Sequence, residues 1–219
     1  MTIDALVLHS GGMDSSICLL LAALKFGRDR VISVGFRYHQ RHSSELEAAS
    51  SIAAHYGIRR EVIDLPRLPG WERSSLINGA LAIDAIQSIP NTFVPARNGL
   101  FLMMAAPFAQ SAGAKVLYIG VIEREGAFSG YPDCHRSYID AVQAVIRLDL
   151  SDPSFSVQTP LIQMSKAETL EVANSLGALE YLLDQTVSCY NGLPRMGCGT
   201  CPACHLRKQG IEEFRSRDL

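Results

Sequence analysis

Two short stretches hold residue types whose spacing can do chemistry. In LHSGGMDSS, Leu8 to Ser16, a glycine pair stands among three hydroxyls (Ser10, Ser15, Ser16) and the Asp14 carboxylate, where an apolar run gives way to helical periodicity. Glycines let backbone N–H groups approach an anion, and a helix start adds about half a positive charge. Phosphate is the natural guest, although a tight turn needs glycine with no ligand at all. The loop has neither the GxxxxGKS/T nor the GxGxxG pattern. Near the C-terminus, Cys198, Cys201 and Cys204 form CxxCxxC, and Cys189, nine residues upstream, supplies a fourth thiolate. Four sulfurs with no place for water make a structural site, with zinc the expected ion, and such binding is worth on the order of 10 kcal/mol of folding free energy. A set of three cysteines completed by His205, or an iron–sulfur cluster, is the alternative that spacing leaves open. Cys18 reads as packing on the apolar face of a helix, and Cys134, in a loop, is ambiguous.

Something must position these groups. The runs IDALVLH, VISVGFRY, EVIDL, KVLYIGVI and FSVQTPL read as strands, separated by segments with apolar residues at three-to-four spacing. That alternation predicts an α/β fold, a parallel five-stranded doubly wound sheet covered by helices on both faces. The helices are expected at Met13–Phe26, Ser44–Tyr56, Asn98–Ser111, His135–Arg147, Ser165–Leu176 and Pro202–Phe214, with Gly27, Gly57, Gly113 and Gly177 as left-handed stops. The first loop then falls at the first strand–helix junction. Residues 1–180 are expected to form this domain, and 181–219 a small zinc-binding helical segment packed on it. Pro66 to Asn91 holds no clear element and is expected to be a lid or a substrate-facing loop.

With 219 residues, 47% of them hydrophobic, one α/β domain with a small appendage has ample core. Against 22 acidic residues stand 20 basic ones, so no broad basic field points to nucleic acid or an anionic membrane. The N-terminus lacks a secretory pattern and no apolar run is long enough to span a bilayer, which predicts a cytoplasmic protein. In a reducing compartment, the crowded cysteines favour a metal over disulfides.

Ser10 to Ser15, SGGMDS, resembles the SGGxDS pyrophosphate loop of the PP-loop, or N-type, ATP pyrophosphatases, which cut ATP between its α and β phosphates. The chain as a whole resembles one branch of that group, the QueC family of 7-cyano-7-deazaguanine synthases. The likeness is carried in order by FRYHQRH (Phe36 to His42), IPNTFVPARN (Ile89 to Asn98), FSGYPDC (Phe128 to Cys134), TPLIQMSKAE (Thr159 to Glu168), SCYNG (Ser188 to Gly192) and the cysteine cluster. It implies that 7-carboxy-7-deazaguanine, ammonium and two ATP give the nitrile, two AMP and two pyrophosphate, with Mg2+ assisting. Leu8, His9, Ser10, Gly11, Gly12, Met13, Asp14, Ser15, Ser16, Ile17 and Cys18 would form the nucleotide-binding segment. Asp14 would place Mg2+ or fix the turn. Arg97 and Lys166 would supply cations where charge develops, with a substrate-carboxylate role or a structural ion pair as the other readings of Arg97. Phe36, Tyr38, Arg41, Phe128 and Tyr131 would line the deazaguanine site, and Asp133 would read a guanine-type edge or cap the helix starting near His135. Assembly as a homodimer is a further implication.

Several positions depart from the family pattern: His39 and Ala96 stand where glycine is usual, Gln185 where glutamate is common, and Glu123 to Ala127 replace a shorter stretch. They bear on the acceptor side and leave two other readings. One is a QueC-like ligase joining the deazaguanine carboxylate to another amine, including one on a protein. The other is a tRNA-modifying sulfur or amide transferase, against which stand the near-neutral charge and the absence of an appended RNA-binding domain. The SGGMDSS loop argues against a purely structural zinc module.

Overall fold

A computed structural model describes residues 2–83, 89–123 and 131–217. Strands β1 (Ala5–Leu8), β2 (Val31–Arg37), β3 (Arg59–Asp64), β4 (Val116–Ile119) and β5 (Ser156–Gln158) form one sheet in the order β3-β2-β1-β4-β5, with every pairing parallel. Side chains alternate between faces along a strand. Ala5 and Val7 accordingly enter one core, with Ile17, Leu19 and Leu182, while Leu6 and Leu8 enter the other, with Val34, Leu102 and Ile139. Both faces are covered, so β1 reads as an unbroken apolar run.

The helices among the described residues are α1 (Met13–Phe26), α2 (Ser44–His55), α3 (Arg97–Ala112), α4 (Arg136–Asp149), α5 (Lys166–Ser175), α6 (Leu179–Gln185) and α7 (Pro202–Arg217). Six lie where the periodicity places them, with ends shifted by up to three residues. The seven-residue α6 is an addition to that expectation, being too short to display a helical period. Gly27, Gly57, Gly113 and Gly177 all adopt positive φ, as expected of helix stops. So do His39 (φ 63°) and Ala96 (φ 60°). These two residues, where the resemblance leads one to expect glycine, adopt a left-handed backbone at a cost of roughly 1 kcal/mol or more each.

Strand order reverses beside β1, where the chain continues to β2 on one side and returns to β4 on the other. Such a switch point opens a crevice at the carboxyl ends of the strands, and the SGGMDSS loop leaves β1 at that crevice. The Pro66–Asn91 stretch is anchored rather than loose over its described part. Trp71 is buried and its indole N–H donates to the Pro95 carbonyl at 3.1 Å, and the Ser75 N–H donates to the Asn91 carbonyl at 2.8 Å. The C-terminal α7 packs on α5, where a Cβ on Gly210 would come within 2.6 Å of the Lys166 side chain.

Candidate active site

A cavity of about 820 Å3 opens at the switch point, within the size range of small-molecule sites. Leu8 to Ser10 and Gly12 to Ser15 line it, together with Lys166, Arg97 and the residues at the end of β2. The two glycines of the loop have different reasons. Gly11 has φ +97°, and a Cβ there would collide with the Glu45 carbonyl in the first turn of α2. Gly12 has an ordinary extended backbone, and a Cβ would find only Ser10 Oγ at 3.5 Å and the Val187 oxygen at 3.7 Å. Protein packing therefore does not require Gly12 to be glycine, and its lack of a Cβ leaves the start of α1 open to close approach of an anion.

The loop is internally tied. The Ser10 and Ser15 hydroxyls lie 3.0 Å apart, the Gly12 N–H donates to Ser10 Oγ at 3.3 Å, and Ser15 Oγ donates to the Gly12 carbonyl at 3.0 Å. Ser16 is fully buried and donates to the same carbonyl at 2.8 Å, so it secures the loop from behind and cannot touch a ligand. Ile17 and Cys18, assigned to the nucleotide-binding segment, are likewise fully buried in the core. At 100° per residue the first turn of α1 carries them off the cavity wall. On the cavity wall, Lys166 Nζ donates to Asp14 Oδ2 at 2.7 Å. Lys166 opens α5, whose start is fixed by a reciprocal capping box between Ser165 and Glu168.

At the other end the walls are aromatic. Phe36 stacks on Phe101 with ring centroids 4.2 Å apart, and Tyr38 meets both Phe101 and Trp71 edge-on. The Tyr131 hydroxyl bonds Thr92 and lies 3.2 Å from the Tyr190 hydroxyl. Arg41 lines the cavity while its guanidinium donates to the Leu81 carbonyl at 3.1 Å. Burial works against the charge of Arg97, yet Tyr38, Asp133, Glu45 and Cys134 around it hold its pKa above the ordinary arginine value. Glu45, facing the same space, is pushed up to about 7 by burial against the pull of Arg97. Burial, reinforced by Asp133, raises the Cys134 thiol to about 12, so this cavity-lining cysteine is protonated.

Asp133 is buried and its carboxylate accepts a long 3.4 Å bond from the Asn98 N–H. From the short 3-10 turn at Pro132–Cys134 it serves the first turn of α3, and α4 begins without a side-chain cap, so the capping role, one of the two expected of Asp133, is not made there. Phe128 lies outside the described residues, as do residues 124 to 127. Of that departure only Glu123 is described, accepting from Gln163 at 2.7 Å beside His135 at 3.2 Å. Gln185 donates to Asp184 at 2.7 Å, away from the cavity.

The Cys189, Cys198, Cys201 and Cys204 sulfurs lie within 4.8 Å of one another. Backbone N–H groups of Asn191 and Cys198 reach Cys189 Sγ at 3.4 Å each, and the Cys201 N–H reaches Cys198 Sγ at 3.3 Å, an arrangement that favours thiolates. A Cβ on Gly197 would collide with Cys204 Sγ. His205 instead shares its Nε2 with the Gly199 carbonyl at 2.9 Å, which favours the four-cysteine set over one that uses the histidine. The donor set fits a tetrahedral cation such as zinc.

The family described as queuosine biosynthesis protein QueC matches residues 4–215. The chain belongs to the QueC family. Among its relatives, the 7-cyano-7-deazaguanine synthase of Bacillus subtilis is 41% identical over 96% of this chain and 94% of that protein. The synthase of Bacteroides fragilis is 42% identical over 98% and 97%. Solved structures place the QueC chain in a wider fold. An NMN synthetase from Francisella tularensis superposes with a TM-score of 0.55 at 14% identity, covering 99% of this chain and 85% of that one. A 4-thiouridine synthetase, solved with RNA and ATP, gives 0.53 at 19%, covering 97% and 51%. These likenesses carry the fold alone.

Three site residues of this QueC chain escaped sequence reasoning. Glu45 carried a signal, since it shares the inward stripe of α2 with Ala48, Ala49 and Ile52, where a carboxylate has no packing role. Gly120 closes β4, and a Cβ there would come within 2.7 Å of the Ser15 nitrogen, so it lets the start of α1 approach the sheet. Nothing local reveals that. Arg60, on β3, reaches the loop through the His9 carbonyl and the Ser33 hydroxyl, contacts that strand pairing creates and no local pattern reveals.

Proposed function

We propose that this QueC-family chain is the ligase that converts 7-carboxy-7-deazaguanine and ammonium to 7-cyano-7-deazaguanine, consuming two ATP and releasing two AMP and two pyrophosphate. The observation that carries this reading is the near end-to-end likeness to 7-cyano-7-deazaguanine synthases of two distant bacteria. The cavity supports it by joining a phosphate-type loop to an aromatic pocket with buried charges.

The chemistry is a leaving-group problem. A carboxylate offers only oxide or hydroxide to departing electrons, so ammonia cannot displace it. Attack of a carboxylate oxygen on the α phosphorus of ATP expels pyrophosphate and leaves an acyl adenylate. Ammonia then adds at carbon, and AMP leaves with the C–O bond pair to give the amide. Adenylation of the amide oxygen, followed by loss of protons from nitrogen and departure of AMP, gives the nitrile.

Each residue has a task. The start of α1 and the N–H groups after Gly12 receive the departing pyrophosphate, with Lys166 the adjacent cation. Asp14 Oδ1 is buried and has no hydrogen-bond partner among the described residues, so it fits as an oxygen donor to Mg2+, which when bound neutralises phosphate charge. Arg97 sits among the aromatic walls and takes the substrate carboxylate. Phe36 and Tyr38 flank the base. Glu45, titrating about 7 beside this end, accepts a proton from ammonium to free the nucleophile. The four-cysteine cluster holds zinc as a structural ion and residues 181–219 pack as its segment. Assembly as a homodimer in the cytoplasm belongs to the same reading and is checked by sedimentation of the purified protein.

The test is incubation with ATP, Mg2+, ammonium and 7-carboxy-7-deazaguanine, following AMP and product mass. Nitrile with two AMP per turnover is expected. An amide endpoint, or AMP release only with another amine, would replace the synthase reading by the ligase one. AMP release with tRNA alone would replace it by a transferase.

A further inference from the structure

The SGGMDSS loop is held from behind by side chains that no part of the reaction uses. Parallel register pairs Ser33 of β2 with Arg60 of β3 and with Val7 of β1, so these side chains leave the same face of the sheet. His9, two residues beyond Val7, follows them. Arg60 Nη1 donates to Ser33 Oγ at 2.8 Å and to the His9 carbonyl at 3.3 Å. Ser33 Oγ lies 2.9 Å from His9 Nδ1, and His9 Nε2 lies 3.0 Å from Ser16 Oγ. Ser16 in turn donates to the Gly12 carbonyl at 2.8 Å. His9, Ser16 and Ser33 are all essentially inaccessible to solvent. Gly35 makes room for Arg60, since a Cβ there would collide with its guanidinium.

The donors in this chain can be assigned from one end. A guanidinium only donates, so Ser33 Oγ accepts from Arg60 and its own proton must go elsewhere. The acceptor in reach is His9 Nδ1. His9 then carries its proton on Nε2, donates to Ser16, and leaves Ser16 free to donate to Gly12. With the other tautomer, the buried Ser33 hydroxyl would have two donors aimed at it and no acceptor among these partners, an arrangement that buried groups avoid. Burial, with Arg60 nearby, keeps the His9 imidazole neutral, its pKa lowered to about 3.

We propose that Arg60, fifty-one residues from His9 in sequence, is a positioning residue of the ATP loop. It polarises a one-way relay, Arg60 to Ser33 to His9 to Ser16 to the Gly12 carbonyl, which adds to the bonds that carbonyl accepts from Ser15 Oγ and the Ser16 N–H and so fixes the following N–H groups toward the cavity. The proposal rests on the reading of this loop as the ATP site and is independent of what accepts the adenylate.

Nitrogen NMR of the full chain labelled at histidine nitrogens, with His9 assigned by a His9→Gln variant, reads the relay directly. The wild-type protein is expected to show a single neutral Nε2–H tautomer at His9 near neutral pH. In Arg60→Met the Nδ1–H form should appear, and ATP affinity, measured by calorimetry without acceptor, should weaken roughly tenfold, with Arg60→Lys restoring both in part. Ser33→Ala should weaken ATP to a similar extent while leaving the far-ultraviolet spectrum of the fold in place. A wild-type Nδ1–H tautomer, or an unchanged tautomer and ATP affinity in both Arg60→Met and Ser33→Ala, overturns the proposal. Loss of ATP binding in the wild type itself overturns the ATP-site reading instead, and a product other than the nitrile touches neither.

Discussion

Lys166 and Asp14 meet at 2.7 Å although 152 residues separate them in the chain, and both side chains are largely withdrawn from solvent. A cation so placed strengthens as phosphoryl charge develops, while its ground-state partner keeps it oriented. Lys166→Ala is therefore expected to lower kcat/KM for AMP formation about 10²- to 10³-fold, as measured with saturating ammonium and deazaguanine. Glu45 leads to a pH test. A base works only when ionised, and burial raises this carboxyl to about 7, so ammonium-dependent AMP formation should climb as pH rises through that value. Glu45→Gln removes the base. Its deficit should be largest near neutrality and shrink in alkaline buffer, where more free ammonia is present. A variant whose pH profile parallels the wild type would rule out the proton-accepting role.

At the scale of elements, the left-handed residues explain how the chain departs from its family without losing the fold. Ala96 stands immediately before α3 at φ 60°, a conformation glycine adopts without the Cβ clash. Ala96→Gly is expected to stabilise the protein by about 1 kcal/mol, read as an upward shift of the denaturant midpoint with unchanged slope. The alanine thus costs stability at the residue that sets the direction of Arg97, the first residue of α3. α1 shows the opposite economy, because its start is pressed between Gly11, beneath α2, and Gly120, at the end of β4. Both glycines serve approach of one backbone to another.

Across the whole molecule, the cysteine segment meets the SGGMDSS loop through a backbone hydrogen bond and is braced internally by Arg207. The Val187 N–H donates to the Gly11 carbonyl at 3.1 Å. Arg207 of α7, buried, donates to Thr186 Oγ1 at 2.9 Å, Leu183 O at 2.6 Å and Ser188 Oγ at 3.2 Å. Burial pushes the Cys204 thiol up to about 12, whereas hydrogen bonds from Thr200 bring Cys198 down to about 5, and a bound cation would hold all four sulfurs as thiolates. Removing the metal with a chelator, or replacing Cys201 by serine, is expected to lower Tm by about 10 °C or more. ATP affinity should fall with it, because the strap over Gly11 loosens. Calorimetry with and without added zinc checks both effects. Retained ATP affinity in a metal-depleted, less stable protein would show that the segment is structurally separate from the loop.

The sequence by itself determined the local parts. Met13–Phe26 reads as a helix because its apolar residues recur at helical spacing, β1 reads as a strand because both its faces are buried, and the cysteine spacing announces a metal because four thiols within one reducing chain have few other uses. The loop, the family motifs and the glycine stops are equally local. Only the tertiary structure decided that Ile17 and Cys18 turn off the cavity wall into the core, that Asp133 bonds the start of α3, and that Glu45, Arg97 and Tyr38 line one cavity. It alone paired Arg60 with Ser33 and brought Lys166 onto Asp14. The physical reason is the parallel sheet: each right-handed crossover returns the chain to the same edge, so residues at the carboxyl ends of successive strands converge whatever their separation. Periodicity fixes which face a side chain takes, but strand order and register fix its neighbours.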